Sequence, residues 1–199
     1  MTAEEVIVPF HPPVRAVRSV RSTLIQASLA SLRERDLLSR YTELLPPQFH
    51  EPILRTLAAT WLPLDVGMAH YQACESLGLL DHEQVDIGGD VGRRIQRSAL
   101  STMARAGKAA GVTPWLALSS IDRMWARIIE GGGVQVTKLA PKDARIEVEG
   151  VQLAQFMYFR NAFRGLVLAA SELFSLRAYV RTMHGQCNAQ RLEYRIAWA

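Results

Sequence analysis

Apolar positions in the first part of the chain alternate weakly, then settle into a helical period. Residues 1–13 end in Pro9-Phe10-His11-Pro12-Pro13. Proline lacks an amide donor, so this run reads as an extended lead-in or an edge strand. Val14, Ala16, Val17 and Val20 fall between Arg15, Arg18 and Arg21, which predicts a short half-exposed strand over 14–22. From Thr23 onward Leu24, Ala27, Leu29 and Leu32 make one helical stripe. Asp36 is placed to cap a second helix carrying Leu37, Leu38 and Tyr41. Pro46-Pro47 stops that helix and starts a third, with Phe49, Ile53, Leu54 and Leu57 inward. Trp61-Leu62-Pro63-Leu64 reads as a tight apolar connection. Asp65 then caps a helix bearing Met68, Ala69, Tyr71, Ala73 and Leu77, with Gly78 as its stop.

A longer polar-rich helix is predicted over 82–109, bent near Gly88-Gly89 and ended by Gly111. Thr113-Pro114 reads as N-cap and first residue of the next helix, which carries Trp115, Leu118, Ile121, Met124, Trp125 and Ile128 on one face. Gly131-Gly132-Gly133 ends it. The period then drops to two. Val134, Val136 and Leu139, then Ile146 and Val148, alternate with polar residues around Pro141-Lys142-Asp143, the pattern of a β-hairpin. Residues 151–173 form the most apolar helix, and strands over 176–183 and 190–198 close the chain. Helices followed by β-β-α-β-β predict an α+β fold: an N-terminal helical layer packed on a small antiparallel sheet. The organisation expected is a single domain over 14–199 behind the extended lead-in.

Composition narrows the class. With 199 residues, 49% apolar and 21% charged, the chain has material for one sizeable core without a disulfide or metal staple. The net charge of +4 is spread along the chain. Arg93, Arg94, Arg97, Arg105 and Lys108 lie on one predicted helix, yet no aromatic residues interleave with them as a single-strand platform requires. Nucleic acid is therefore not an expected partner. Cys74 and Cys187 form no C-x-x-C pair and read as reduced thiols. Neither a signal peptide nor an apolar run of spanning length is present, so a cytoplasmic protein without membrane insertion is expected.

The sequence carries no familiar catalytic spacing. His50, His70, His82 and His184 show no H-E-x-x-H pattern, so no metal site is expected. Gly88-Gly89-Asp90-Val91-Gly92 lacks the G-K-[ST] ending of a phosphate loop and the strand that should precede it; close helix packing explains its small residues better. No serine sits in G-x-S-x-G. A cleft gathering His70, Glu75 and Asp90 would be needed to support an enzyme, so no catalytic residue is assigned.

Several segments carry a family resemblance. TWLPLDVGMAHYQACESLG, VDIGGDVGRR, IDRMWARIIEGGGVQVTKL and the closing E-Y-R-I-A-W strand resemble a lineage-expanded bacterial family of unknown function. That family is similar in architecture to heme-nitric-oxide-binding domains, the 4-vinyl reductase domain and TRAPP vesicle-tethering subunits. The resemblance implies a helical layer over a small sheet, often with an apolar ligand pocket, and frequent dimerisation in sensory or scaffold roles. This sequence departs from the heme-binding members, having no Y-x-S-x-R. It also departs from the cysteine pattern of the reductase group, with His184 and Leu192 at those positions and Cys187 between them.

Together these readings predict a non-catalytic sensory or regulatory domain for a small apolar ligand. A homodimeric interaction scaffold is the alternative, and an enzyme of unknown class ranks behind both. No cofactor is expected, and heme is the one the resemblance leaves open. The pocket candidates are Trp61, Met68, His70, Tyr71, Trp125, Phe156, Met157 and Phe163, between the last long helix and the helices bearing Tyr71 and Trp125.

Overall fold

The computed structural model describes residues 4–57, 59–99 and 113–199, with the side chains of 97–99 excepted. Its core is a five-stranded antiparallel sheet. In chain order the strands are β1 (Glu5–Val8), β5 (Gly133–Ala140), β6 (Asp143–Glu149), β7 (Ala178–Thr182) and β8 (Arg191–Trp198), arranged β1-β5-β6-β8-β7. The lead-in thus supplies an edge strand, where the prolines that follow cost no ladder bonds. Alternation sets the two faces. Val134, Val136, Ile146, Val148, Leu192, Tyr194 and Ile196 point inward and are buried. On the opposite face Arg191 pairs with Glu147 at 2.6 Å and Arg145 with Glu147 at 3.3 Å.

Eight helices appear among the described residues: α1 (Ser22–Glu34), α2 (Leu38–Leu44), α3 (His50–Leu54), α4 (Leu64–Glu75), α5 (Asp81–Ala99), α6 (Trp115–Leu118), α7 (Ile121–Ile128) and α8 (Met157–Glu172). The α+β class and the terminal β-β-α-β-β order are as the periodicity predicts. A second sheet is an addition: β2 (Ser19–Arg21) lies between β3 (Trp61–Pro63) and β4 (Ile129–Glu130). Its partners are distant in sequence, so Trp61–Pro63, expected as a connection, becomes a strand once Val20 opposes Leu62.

Helix α8 lies between the sheet and α5. Tyr194 donates its hydroxyl to the Arg160 carbonyl at 2.8 Å, and the Arg164 guanidinium donates to the Val180 carbonyl at 2.9 Å, tying α8 to the strands. On its other side α8 crosses α5 almost backbone to backbone. A Cβ on Gly88 would lie 1.9 Å from the Ala162 carbonyl oxygen, and one on Gly165 would lie 1.9 Å from that of Val85. The small residues of the Gly88–Gly92 segment therefore serve helix packing.

Several local expectations are corrected. Helix α5 runs unbroken through Gly88-Gly89, because packing against α8 supports the backbone there. Asp36 does not cap α2; it adopts φ 58°, and Leu37 is the capping residue. Asp65 lies inside α4, where its carboxylate accepts the amide of its neighbour Val66. The expected helix from Thr113-Pro114 divides into α6 and α7. The segment after Gly150 opens with a 3-10 turn over Gln152–Gln155 before α8 begins. The end of the 82–109 helix, with Met103, Arg105, Lys108 and Gly111, lies outside the described residues.

Candidate apolar ligand site

Helices α5, α6, α7 and α8 line a partly open cavity of about 100 Å³. Its wall is largely apolar: Ile95 and Gly92 from α5, Leu118, Ile121, Met124 and Ile128 from α6 and α7, and Phe163, Leu166, Val167 and Ala170 from α8. Trp125 forms one side. Its indole N–H donates to the Gly131 carbonyl at 2.8 Å, and its ring meets Phe163 edge-on at 5.8 Å, so the orientation is fixed from both ends. Gly131 holds that carbonyl in place. It adopts φ 89°, and a Cβ there would lie 2.4 Å from the Ala16 carbonyl oxygen.

Polar groups in the wall are few. Gln96 and Ser171 are buried, and Arg127 is exposed at the rim. The Ser171 hydroxyl donates to the Val167 carbonyl within its own helix at 3.0 Å. Gln96 Oε1 has no hydrogen-bond partner among the described residues. Sequence reasoning did not single out Gln96. On a polar-rich helix one glutamine looks like any solvated position, and only the crossing with α8 turns it inward.

A smaller cavity of about 20 Å³ lies next to the first and shares Ile128, Phe163 and Leu166 with it. Ser28, Tyr71 and Tyr158 line this chamber. Ser28, Tyr158 and the Cys74 thiol are close enough to bear on one another's ionisation. Even so, neither the Ser28 nor the Tyr158 hydroxyl has a hydrogen bond of normal geometry among the described residues.

The predicted pocket residues separate into groups. Trp125 and Phe163 line the larger cavity, and Tyr71 and Phe163 the smaller. His70 joins them through an unbroken series of ring contacts: Tyr41 to His70 at 5.5 Å, His70 to Tyr71 at 5.0 Å, Tyr71 to Phe159 at 4.9 Å and Phe159 to Phe163 at 5.9 Å. His70 itself lines neither cavity. Its Nδ1 lies 2.8 Å from the Tyr41 hydroxyl and its Nε2 3.8 Å from Cys74 Sγ. Burial holds the imidazole down to a pKa of about 3, so it is neutral. The others stand elsewhere. Trp61 lies on β3 under the Arg21 guanidinium, Met68 accepts from the Gln155 amide, Phe156 is buried just before α8, and Met157 is exposed at its first turn.

Glu75 and Asp90, which a catalytic cleft with His70 would have to gather, hold structural contacts. Glu75 accepts the amides of Met157 and Tyr158 at 3.2 and 2.6 Å. Asp90 is partly buried, which alone would raise its pKa. Hydrogen bonds from Arg93, Arg35 and Ser31 and the Arg35 charge hold it below the usual carboxylate range. No group of three His, Cys, Asp or Glu residues suited to a metal ion occurs among the described residues. Both cysteines are free. No described helix is long and apolar enough to cross a membrane.

No protein-family model matches the chain, and no curated protein does. Solved structures do. A Fe(II) unliganded H-NOX protein from K. algicida superposes with a TM-score of 0.67 at 12% identity, over 90% of this chain and 96% of that one. An oxygen-binding H-NOX domain related to soluble guanylate cyclases gives 0.60 at 15% identity, over 89% and 94%. A protein studied for heme redox potential through protein-induced porphyrin distortion gives 0.60 at 16%, also over 89% and 94%. Nearly the whole of this chain therefore shares the H-NOX fold.

Proposed function

We propose that this protein is a sensory or regulatory domain that binds a small apolar ligand in the cavity between α5, α7 and α8. The observation that carries the reading is the wall itself. It is a concave, largely apolar surface with a fixed aromatic side and few polar groups, the usual make-up of a small-molecule site. Similarity to H-NOX structures supports a sensory role, although a fold alone does not specify a ligand.

Heme, which the related structures bring to mind, does not suit the residues present. Ligation needs an imidazole, thiolate, phenolate or thioether facing the iron. Among the described residues the larger cavity offers only the Met124 thioether, with no histidine, cysteine or tyrosine in its wall. The buried His70 has neighbours at both ring nitrogens. The sequence also lacks the Y-x-S-x-R set. Native mass spectrometry of the protein purified from its own host tests both parts of the proposal. The expected spectrum shows a bound organic molecule of low mass and no heme, with no Soret absorbance. A stoichiometric heme adduct would overturn the reading.

A homodimeric scaffold is a second reading, favoured by one feature. Among the described residues β7 is an edge of the larger sheet, with Tyr179 62% exposed and Leu176 just before it 95% exposed. Light scattering at high concentration would show a dimer that Tyr179→Lys disperses; a monomer at all concentrations would remove this reading.

A further inference from the structure

The larger cavity is partly open, and its rim carries a charge. Among the described residues that line it, Arg127 alone has a charged side chain. It is exposed and lies in the last turn of α7. Its guanidinium makes no hydrogen bond or ion pair among the described residues. The arginines of the facing helix α5 differ, since Arg93 pairs with Asp90 at 2.6 Å and Arg94 pairs with Glu34. The acid nearest to Arg127 along the chain, Glu130, is taken by Arg18 at 2.8 Å and by the Ser19 hydroxyl. Arg123, one turn back on α7, is exposed and adds charge of the same sign.

We infer that the ligand of this cavity is an anionic amphiphile, with an apolar tail between Trp125, Phe163 and Leu166 and a carboxylate that meets Arg127 at the rim. This inference rests on the ligand-binding reading above and deepens it by naming the ligand class. The physical basis is the separation of the two chemistries. A carboxylate carried into the apolar wall would lose its hydration, whereas one held at the rim keeps water while its tail is buried. The planar guanidinium matches a carboxylate with two parallel N–H donors. Arg127 is then a specificity residue, and the aromatic side of the cavity supplies the apolar contact.

Calorimetric titration of the full chain with three probes of equal chain length tests the inference: hexanoate, hexanol and hexylammonium. The expected order places hexanoate about three- to fivefold tighter than hexanol, with hexylammonium weakest. Arg127→Gln should leave hexanol binding unchanged and remove the hexanoate advantage, and Arg127→Lys should restore part of it. The advantage should also shrink at about 1 M salt, where exposed charges are screened. Hexanoate no tighter than hexanol, a preference for hexylammonium, or an advantage that survives Arg127→Gln would overturn the role of Arg127 while leaving the apolar site intact. An equal loss in Arg123→Gln would overturn it too, because a diffuse positive surface would then suffice. If none of the three probes binds, the ligand-binding reading falls, and this inference falls with it.

Discussion

The Glu75 carboxylate, at the end of α4, accepts the Tyr158 amide at 2.6 Å in the first turn of α8. Its second oxygen takes the Met157 amide at 3.2 Å. Helix α8 has no side-chain cap of its own, since Phe156 occupies the capping position. A carboxylate from another helix therefore satisfies two orphan donors at the positive end of the dipole. Glu75→Ala should lower the unfolding free energy by about 1–2 kcal/mol. Urea denaturation will show it, and Glu75→Gln should recover part of the loss.

The crossing of α5 and α8 predicts a graded series. Gly88→Ala and Gly165→Ala place a methyl 1.9 Å from backbone oxygens and should each cost about 3 kcal/mol or more. Gly92→Ala meets the Ala169 Cβ at 3.1 Å and the α8 backbone at Leu166 at 3.3 Å, and should cost about 1 kcal/mol. Equal effects at Gly88 and Gly92 in thermal melts would contradict the backbone-contact geometry.

His70 makes stability depend on pH. Its folded pKa of about 3 lies below the ordinary 6.5, because burial disfavours the imidazolium. Between those values the unfolded chain binds the proton and the folded chain does not. Stability is therefore fully present above about 6.5 and falls as the pH drops towards 3, with a slope of at most about 1.4 kcal/mol per pH unit from this group. Denaturation midpoints measured across that window should show the slope in the native sequence and a flatter profile in His70→Asn.

Tyr158 carries a buried hydroxyl without a partner of normal geometry among the described residues. Removing such a group while keeping the ring should help the fold. Tyr158→Phe is expected to raise the unfolding free energy by up to about 1 kcal/mol, measured by urea titration. A loss of similar size would mean that the hydroxyl is satisfied in solution.

Much of this fold is legible in the sequence where local chemistry decides it. Gly78 and Gly150 adopt φ of 65° and 72°, the conformations expected of their stop positions. The alternation from Val134 to Val148 gives the β5–β6 hairpin directly. Readings that depend on a distant partner are not legible. Gly88-Gly89 resembles a helix break until Ala162 and Gly165 are brought against it. Trp61 becomes a strand residue only by pairing with Arg21. Trp125 and Phe163 stand out as aromatic residues on apolar helix faces, and both line the larger cavity. His70 looks like a candidate ligand for the same reason any histidine does, but its place is in the ring contacts of the core.

The most direct test of the central claim is a crystal pressurised with xenon, which enters dry apolar cavities and avoids hydrated ones. The prediction is a xenon peak between Trp125, Phe163, Leu166 and Ala170. A cavity filled by side chains at that place, with no xenon bound there, would contradict it.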